Sequence, residues 1–244
     1  SLYAAHLARV ADVYAFVRRE SHARALNEHG LRVSGKRDFT AAVKAVTDPA
    51  RLPRFDFGIV ATKATQTVEA IAPVAHLFPE GAVLSSQNGL GCEEVIARHV
   101  QGYVIRGTTF MSGSRHSDTH VQMELDTATW MGPFEPTNTP FPMVEELARL
   151  IRAGGLKAEA LRDARPAQWS KLIFNASVNS VSALTELPHC REFAGEAGFS
   201  DLGRLLHDLI EEGKRVAAAL GLELPEVPLE MIKIGAQTDN PPSM

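Results

Sequence analysis

Cysteine is nearly absent. Cys92 and Cys190 are the only two in 244 residues, too few and too far apart for a disulfide framework, so the reducing cytoplasm is the default compartment. No block of lysine or arginine stands out and the formal net charge is only -4, which gives neither nucleic acid nor an anionic membrane surface anything to hold. No apolar run approaches the roughly 20 residues that a bilayer-spanning helix needs. The opening SLYAAHLARVADVYAF carries Arg9 and Asp12 without a cleavage-site pattern, so it reads as folded chain rather than a signal peptide. Internal repeats and low-complexity segments are also missing. What remains, 45% hydrophobic and 22% charged residues, is the composition of an ordinary globular protein of one large or two smaller domains.

Taken in order, Ser1 to Arg9 has helical periodicity and Val13 to Val17 reads as a short buried strand ending at Arg18 and Arg19. A helix follows from Ser21, a good N-cap, to His29, with Gly30 in the place of a C-cap glycine. Leu31 to Val33 and Ala41 to Val46 are strand candidates. Phe57 to Ala61 (FGIVA) is an apolar run of the kind found in central parallel strands. Thr65 to His76 is expected to be helical, Gly81 to Ser86 a buried strand, and Glu93 to His99 a helix. This alternation predicts an open, mostly parallel α/β sheet, whose ligands bind beyond the carboxyl ends of its strands. Two loops lie at such ends: Thr62-Lys63 and Gln87-Asn88-Gly89.

From Val104 to Leu161 the texture is strand-rich (VIRGTTF, VQMEL, TWMGPF), with a helix from Pro142 to Arg152 and a strand-like Lys157 to Leu161. His116 and His120 are four apart, but the intervening Ser-Asp-Thr and the nearby Gly113 point to a turn rather than one helix face; without a third or fourth ligand they read as surface histidines, and no metal is expected. Near residue 163 the strand signal stops, and an all-helical region follows. Its second helix, Phe199 to Leu220, offers Leu202, Leu205, Leu206, Leu209, Val216 and Leu220 as a core stripe, with Gly221 as cap and a third helix expected from Leu229 to Thr238.

The helix that opens this region, Trp169 to Pro188, is the most informative stretch. At about 100° per residue, Lys171, Asn175 and Asn179 fall on one face at i+4 spacing, with Ser182 between the lysine and the first asparagine. Leu172, Ile173, Phe174, Ala176, Val178, Val181, Ala183 and Leu184 make the rest mostly apolar, and the lysine is the sole ionisable group between Lys171 and Thr185. A lone ammonium flanked by carboxamides suggests a cleft; the plain alternative is a lysine snorkelling from the first turn beside a polar helix seam.

QNGLG after a strand, and WxKLxxNxxxNxxxAL opening a helical region, resemble the ketopantoate reductase (2-dehydropantoate 2-reductase) family of the 6-phosphogluconate dehydrogenase-like superfamily. SLYAAHLAR, FVRRESHARALNEHGL, VATKATQT, SSQNGLGCEE, TWMGP and the terminal PSM fit in order and spacing, over nearly the whole chain. The resemblance implies a Rossmann-type NADP-binding domain over residues 1–162 and a helical substrate and dimerisation domain over 163–244. It implies NADPH-dependent reduction of a 2-keto acid, 2-dehydropantoate first, with pantoate serving pantothenate and coenzyme A synthesis. Lys171 is then the catalytic group, and Asn175, Asn179, Asn240 and Ser243 bind substrate. Arg19, with Arg18 as the adjacent alternative, meets the adenosine 2′-phosphate, and Lys63 and Asn88 lie near the nicotinamide half. A homodimer is a further expectation. A family relative acting on another 2-keto acid and a non-catalytic NADP-binding sensor are the competing readings. Family members also begin with a strand and a GxGxxG loop ending just before Ser1, and continue past PSM into helices with an acidic residue. Neither stretch is in this sequence, so trimming at both ends is expected.

Overall fold

The computed structural model describes residues 1–188 and 200–225. The chain divides into two compact units, Ser1–Ala164 and Arg165–Met244. The first is α/β. It runs α1 (Leu2–Leu7), β1 (Tyr14–Phe16), α2 (Glu20–His29), β2 (Leu31–Gly35), β3 (Phe39–Ala41), β4 (Lys44–Val46), β5 (Phe57–Val60), α3 (Thr67–Ile71), β6 (Ala82–Ser85) and α4 (Cys92–Ala97). Then come β7 (Tyr103–Thr109), β8 (Ser112–Ser117), β9 (His120–Leu125), β10 (Thr129–Pro133), α5 (Phe141–Ala153) and β11 (Ala158–Ala160).

Three sheets result. The largest has the order β11-β10-β7-β6-β5, with β5, β6 and β7 mutually parallel and β10 antiparallel to β7. β1 and β4 form a parallel pair, and β3-β2-β9-β8 a mixed sheet with β2 parallel to β9. Successive side chains of a strand point to opposite faces, and both faces of the large sheet are covered. Leu84, Ile105 and Met131 enter one apolar core with Tyr3, Val33 and Leu147, while Val83 and Val104 enter another with Ile71, Phe78 and Phe134. That double burial is why β6 is wholly apolar until its last residue. An edge contact between Tyr14 and Phe55, and a stacked one between Phe55 and Phe78, join the β1-β4 pair to the second core.

Several expectations need correction. Among the described residues β5 ends the strand order of its sheet, with β6 its hydrogen-bonded neighbour. The stretch Ala41 to Val46 breaks into β3 and β4, which pair in different sheets. The residue before α2 is Arg19 and makes no side-chain cap; Ser21 lies inside the first turn. The turn expected between His116 and His120 is present at Asp118-Thr119, while Gly113 lies ahead of it in a strand, β8, paired antiparallel with β9. His116 and His120 therefore face each other across a hairpin, ring centroids 4.9 Å apart. His120 Nε2 lies 2.8 Å from Ser34 Oγ and His116 Nε2 lies 3.0 Å from Gln122 Oε1. Among the described residues no group of three or more His, Cys, Asp or Glu could hold a metal, and no helix is long and apolar enough to cross a membrane.

His6 makes the α/β unit sensitive to acid. Its ring is fully buried, its Nδ1–H donates to the Gly154 carbonyl at 2.9 Å, and burial pushes its pKa below the ordinary 6.5. Above about pH 6.5 the ring is neutral in folded and unfolded chains alike. Below it the unfolded chain takes up a proton that the folded one refuses, so stability falls as pH drops, by at most about 1.4 kcal/mol per pH unit for this one group. Urea unfolding at successive pH values is expected to show that slope in the natural protein and to lose it in His6→Gln; an unchanged slope in the variant would assign the effect elsewhere.

The second unit contains α6 (Arg165–Phe174), a π-helical turn (Asn175–Asn179), α7 (Ser180–Thr185) and α8 (Asp201–Ala219). Ser200 caps α8, its hydroxyl accepting from Gly203 N at 3.1 Å. The buried face of α8 is Gly203, Leu206, Ile210 and Ala217, whereas Leu205, Val216 and Leu220 of the expected stripe are exposed. The inner face is chosen by closeness rather than side-chain size: a Cβ on Gly213 would sit 2.8 Å from Ile173 Cγ1 of α6. Along α6 and α7, Ala176, Ala183 and Leu184 are likewise exposed, Leu184 by 86%. The expected helix from Leu229 to Thr238 lies outside the described residues.

Candidate active site

In the helical unit the polar stripe survives with a change of geometry. α6 does not run on as an α-helix: the turn from Asn175 to Asn179 widens to a π-helix before α7 resumes. A π turn inserted in an α-helix holds one extra residue, which rotates everything after it by about 100° relative to an uninterrupted helix. This explains why Ser182 leaves the stripe. It is fully buried, and its hydroxyl donates to the Leu187 carbonyl at 2.7 Å, closing the helix end where Glu186 adopts a left-handed conformation. Asn175 and Asn179 remain together, Asn179 Nδ2 donating to Asn175 Oδ1 at 3.1 Å. Both are partly accessible, as is Lys171 one α-turn earlier.

Lys171 has the most displaced basicity of the described lysines. Desolvation by its surroundings lowers its pKa from 10.5 to about 8, because an ammonium loses more hydration than a neutral amine when water is excluded. Near neutral pH it is therefore still protonated, but far readier to give up a proton than a surface lysine. Ile173, Phe174, Ser177 and Val178 are buried beside it along the helix and fix the backbone that carries it. A snorkelling surface lysine would keep its head in water and an ordinary pKa. A proton-donating ammonium next to carboxamides that can both donate and accept is suited to an anionic, carbonyl-bearing small molecule.

In the α/β unit, β5 and β6 deliver two loops from the same sheet edge. Ser86 N donates to Val60 O at 3.1 Å, and Gln87 Nε2 donates to Thr62 O at 3.1 Å and to Thr67 Oγ1 at 2.8 Å. Lys63 and Asn88, singled out from sequence, are exposed on these loops. The residue that ties the loops together is the buried Gln87, which sequence reading passed over as part of a turn. Gly89 and Gly91 sit at φ +94° and +93°, with open space where a Cβ would project; the left-handed backbone is what requires glycine there. Gly91 starts α4, which spans six residues rather than the seven expected from Glu93 to His99. Neighbouring Cys92 is buried, and desolvation pushes its thiol pKa up, which lowers its thiolate fraction.

Arg19 lies just after β1 and is exposed, as is Arg18. One Nη of Arg19 donates to both carboxylate oxygens of Asp118, at 2.7 and 2.9 Å. The guanidinium that the sequence marks for a phosphate thus already holds an anion of the chain's own. No sequence signal points to Asp118, which is 99 residues away. Asn240 and Ser243, the remaining substrate candidates, lie outside the described residues.

Comparison with known proteins gives consistent matches. Residues 1–136 match the family described as ketopantoate reductase PanE/ApbA, and residues 163–244 match its C-terminal counterpart. The chain is 30% identical to the 2-dehydropantoate 2-reductase of Archaeoglobus fulgidus, over 91% of this chain and 71% of that one. It is 27% identical to the protein of the same name from Pyrococcus abyssi, over 95% and 74%. Among solved structures, the 2-dehydropantoate 2-reductase of Geobacter metallireducens superposes with a TM-score of 0.84 at 27% identity, covering 100% of this chain and 81% of that one.

Proposed function

Because the chain belongs to the ketopantoate reductase family, a family of oxidoreductases acting on CH–OH groups, we propose that it reduces 2-dehydropantoate to pantoate with NADPH, as a step in pantothenate and coenzyme A synthesis. The observation that carries this reading is Lys171: a half-buried ammonium with its pKa lowered to about 8, followed on the helix by a hydrogen-bonded asparagine pair. The division of labour follows, with residues 1–162 binding the nucleotide and 163–244 the keto acid and a second copy of the chain.

NADPH, when bound, would supply a hydride for the carbonyl carbon. As the carbonyl oxygen gains negative charge, Lys171 stabilises it and delivers the proton that makes the alcohol. A pKa near 8 suits this role, since the group is charged at neutral pH yet gives its proton up readily. Asn175 and Asn179 hold the substrate carboxylate and hydroxyl with amide donors and acceptors, joined by Asn240 and Ser243. Lys63 and Asn88 serve the nicotinamide half from the loops that Gln87 stitches together. Arg19 takes the adenosine 2′-phosphate. Its guanidinium already binds a carboxylate, so its donors are set for an anion, and a planar guanidinium suits phosphate oxygens better than an ammonium does.

The test is NADPH oxidation by the full-length protein with a panel of 2-keto acids. Turnover with the highest kcat/KM on 2-dehydropantoate is expected. A preference for another branched or bulky 2-keto acid would replace the named substrate, and nucleotide binding without turnover on any of them would leave a sensor.

A further inference from the structure

The ion pair on Arg19 is built into the fold rather than formed by a passing side chain. Asp118 occupies the two-residue turn between β8 and β9, and that turn is pinned from two directions by its backbone. His22 Nε2–H, on α2, donates to the Asp118 carbonyl at 3.0 Å, and Arg32 N, on β2, donates to the Thr119 carbonyl at 2.7 Å. The hairpin tip is thereby held against the start of α2, and the Asp118 carboxylate is delivered to the guanidinium just before that helix. The side chain of Asp118 is 27% exposed and that of Arg19 56%, so solvent and ligands reach both. Arg19 holds the carboxyl below its usual range, which keeps it ionised at neutral pH. Arg115, on β8, lies 3.8 Å from the same carboxylate and Ser21 Oγ lies 3.5 Å from the other Nη of Arg19.

We propose that Asp118 is an internal competitor for the adenosine 2′-phosphate: it occupies Arg19 until the phosphate displaces it, and so limits how strongly the protein favours NADPH over NADH. This rests on Arg19 being the 2′-phosphate contact. The physical basis is that one guanidinium edge cannot give its best hydrogen bonds to two anions, and a carboxylate left beside an incoming phosphate repels it. Arg115 provides the way out, since a carboxylate released by Arg19 has a second cation within a side-chain rotation. An NADH ribose has no charge to displace it, so Asp118 stays paired and costs that cofactor little.

Adenosine 2′,5′-bisphosphate and 5′-AMP differ only in the 2′-phosphate and separate the terms. Titration calorimetry on the full-length protein, its Asp118→Asn and Arg19→Ala variants and the double variant is expected to show the following. Asp118→Asn tightens the bisphosphate about three- to tenfold, the range of an exposed ion pair plus the relieved repulsion, and leaves 5′-AMP within about twofold. The tightening disappears when Arg19 is alanine. If the natural protein prefers the bisphosphate but Asp118→Asn leaves it unchanged or weaker, or tightens 5′-AMP equally, the competition is overturned while the NADPH reading stands. If neither the natural protein nor Asp118→Asn prefers the bisphosphate, the 2′-phosphate reading fails and takes the proposal with it. The asparagine is isosteric and sits on an exposed turn, so folding is expected to persist, and thermal melts check it.

Discussion

Lys171→Met is expected to lower kcat for 2-keto acid reduction by about 10³-fold with a much smaller change in the KM for the keto acid, the range set by losing a proton donor and the charge that meets a developing alkoxide. Methionine keeps the length and packing of the lysine stem, so the variant separates chemistry from structure. The pH profile adds a second readout. Below about 8 the free protein carries a protonated Lys171, so kcat/KM for reduction is expected to be flat near neutrality and to fall as pH rises through about 8. In kcat, which reports the complex, the fall moves to higher pH, because the substrate carboxylate beside the ammonium favours its charged form. Both falls disappear in Lys171→Met. A variant that kept more than about a tenth of kcat would remove Lys171 from the proton-transfer step. Holding a charged amine where water is partly excluded works against folding, so Lys171→Met is also expected to melt at a higher temperature than the natural protein.

Phe134→Ala is expected to destabilise the α/β unit by about 3–5 kcal/mol, a large part of the margin of a typical domain. Its ring is the largest of the fully buried described side chains, 1% exposed, in the core formed with Ile71, Phe78, Ile96 and Val104. Backbone bonds fix its position: Phe134 N donates to Val104 O at 3.1 Å, and Thr137 Oγ1 donates to Phe134 O at 3.0 Å. The backbone at the site is held in place, so the surroundings are expected to fill only part of the space that alanine would leave. Arg106, largely buried on β7, has its guanidinium 5.1 Å from the ring centroid and its Nη2 3.2 Å from Glu135 Oε2. Removing the ring takes away one of the arginine's neighbours as well as apolar contact. Thermal unfolding should show a drop on the order of 10 °C. A drop of only a degree or two would mean that the core repacks.

The parallel strands were readable because burial on both faces leaves an apolar run, as in Ala82–Ser85. β8 was not, since Ser-Gly-Ser-Arg-His-Ser has no apolar side chain and is a strand only because β9 lies beside it. In α8 the expected stripe was Leu202, Leu205, Leu206, Leu209, Val216 and Leu220, of which Leu205, Val216 and Leu220 are exposed. The fold keeps Leu206 of that stripe inside and completes the buried face with Gly203, Ile210 and Ala217, where the small residues let helices approach. At the candidate site, the lysine and its asparagines could be found by spacing alone. The π turn beneath them has no sequence signature and emerges only once the helix is packed. Asp118 was invisible for a different reason: its pairing with Arg19 depends on a hairpin tip reaching a helix start 99 residues earlier, and local pattern carries nothing about such closures.

The chain has two tryptophans, Trp130 and Trp169, and the division into compact units assigns one to each. Trp130 lies on β10 with its ring edge to face with Phe110, and Trp169 lies on α6. Trp130→Phe and Trp169→Phe each leave one tryptophan, in a different unit, and convert the protein's own fluorescence into a separate gauge for each. With denaturant, coincident curves from the two variants would mark a single cooperative transition, and displaced curves would reveal which unit lets go first.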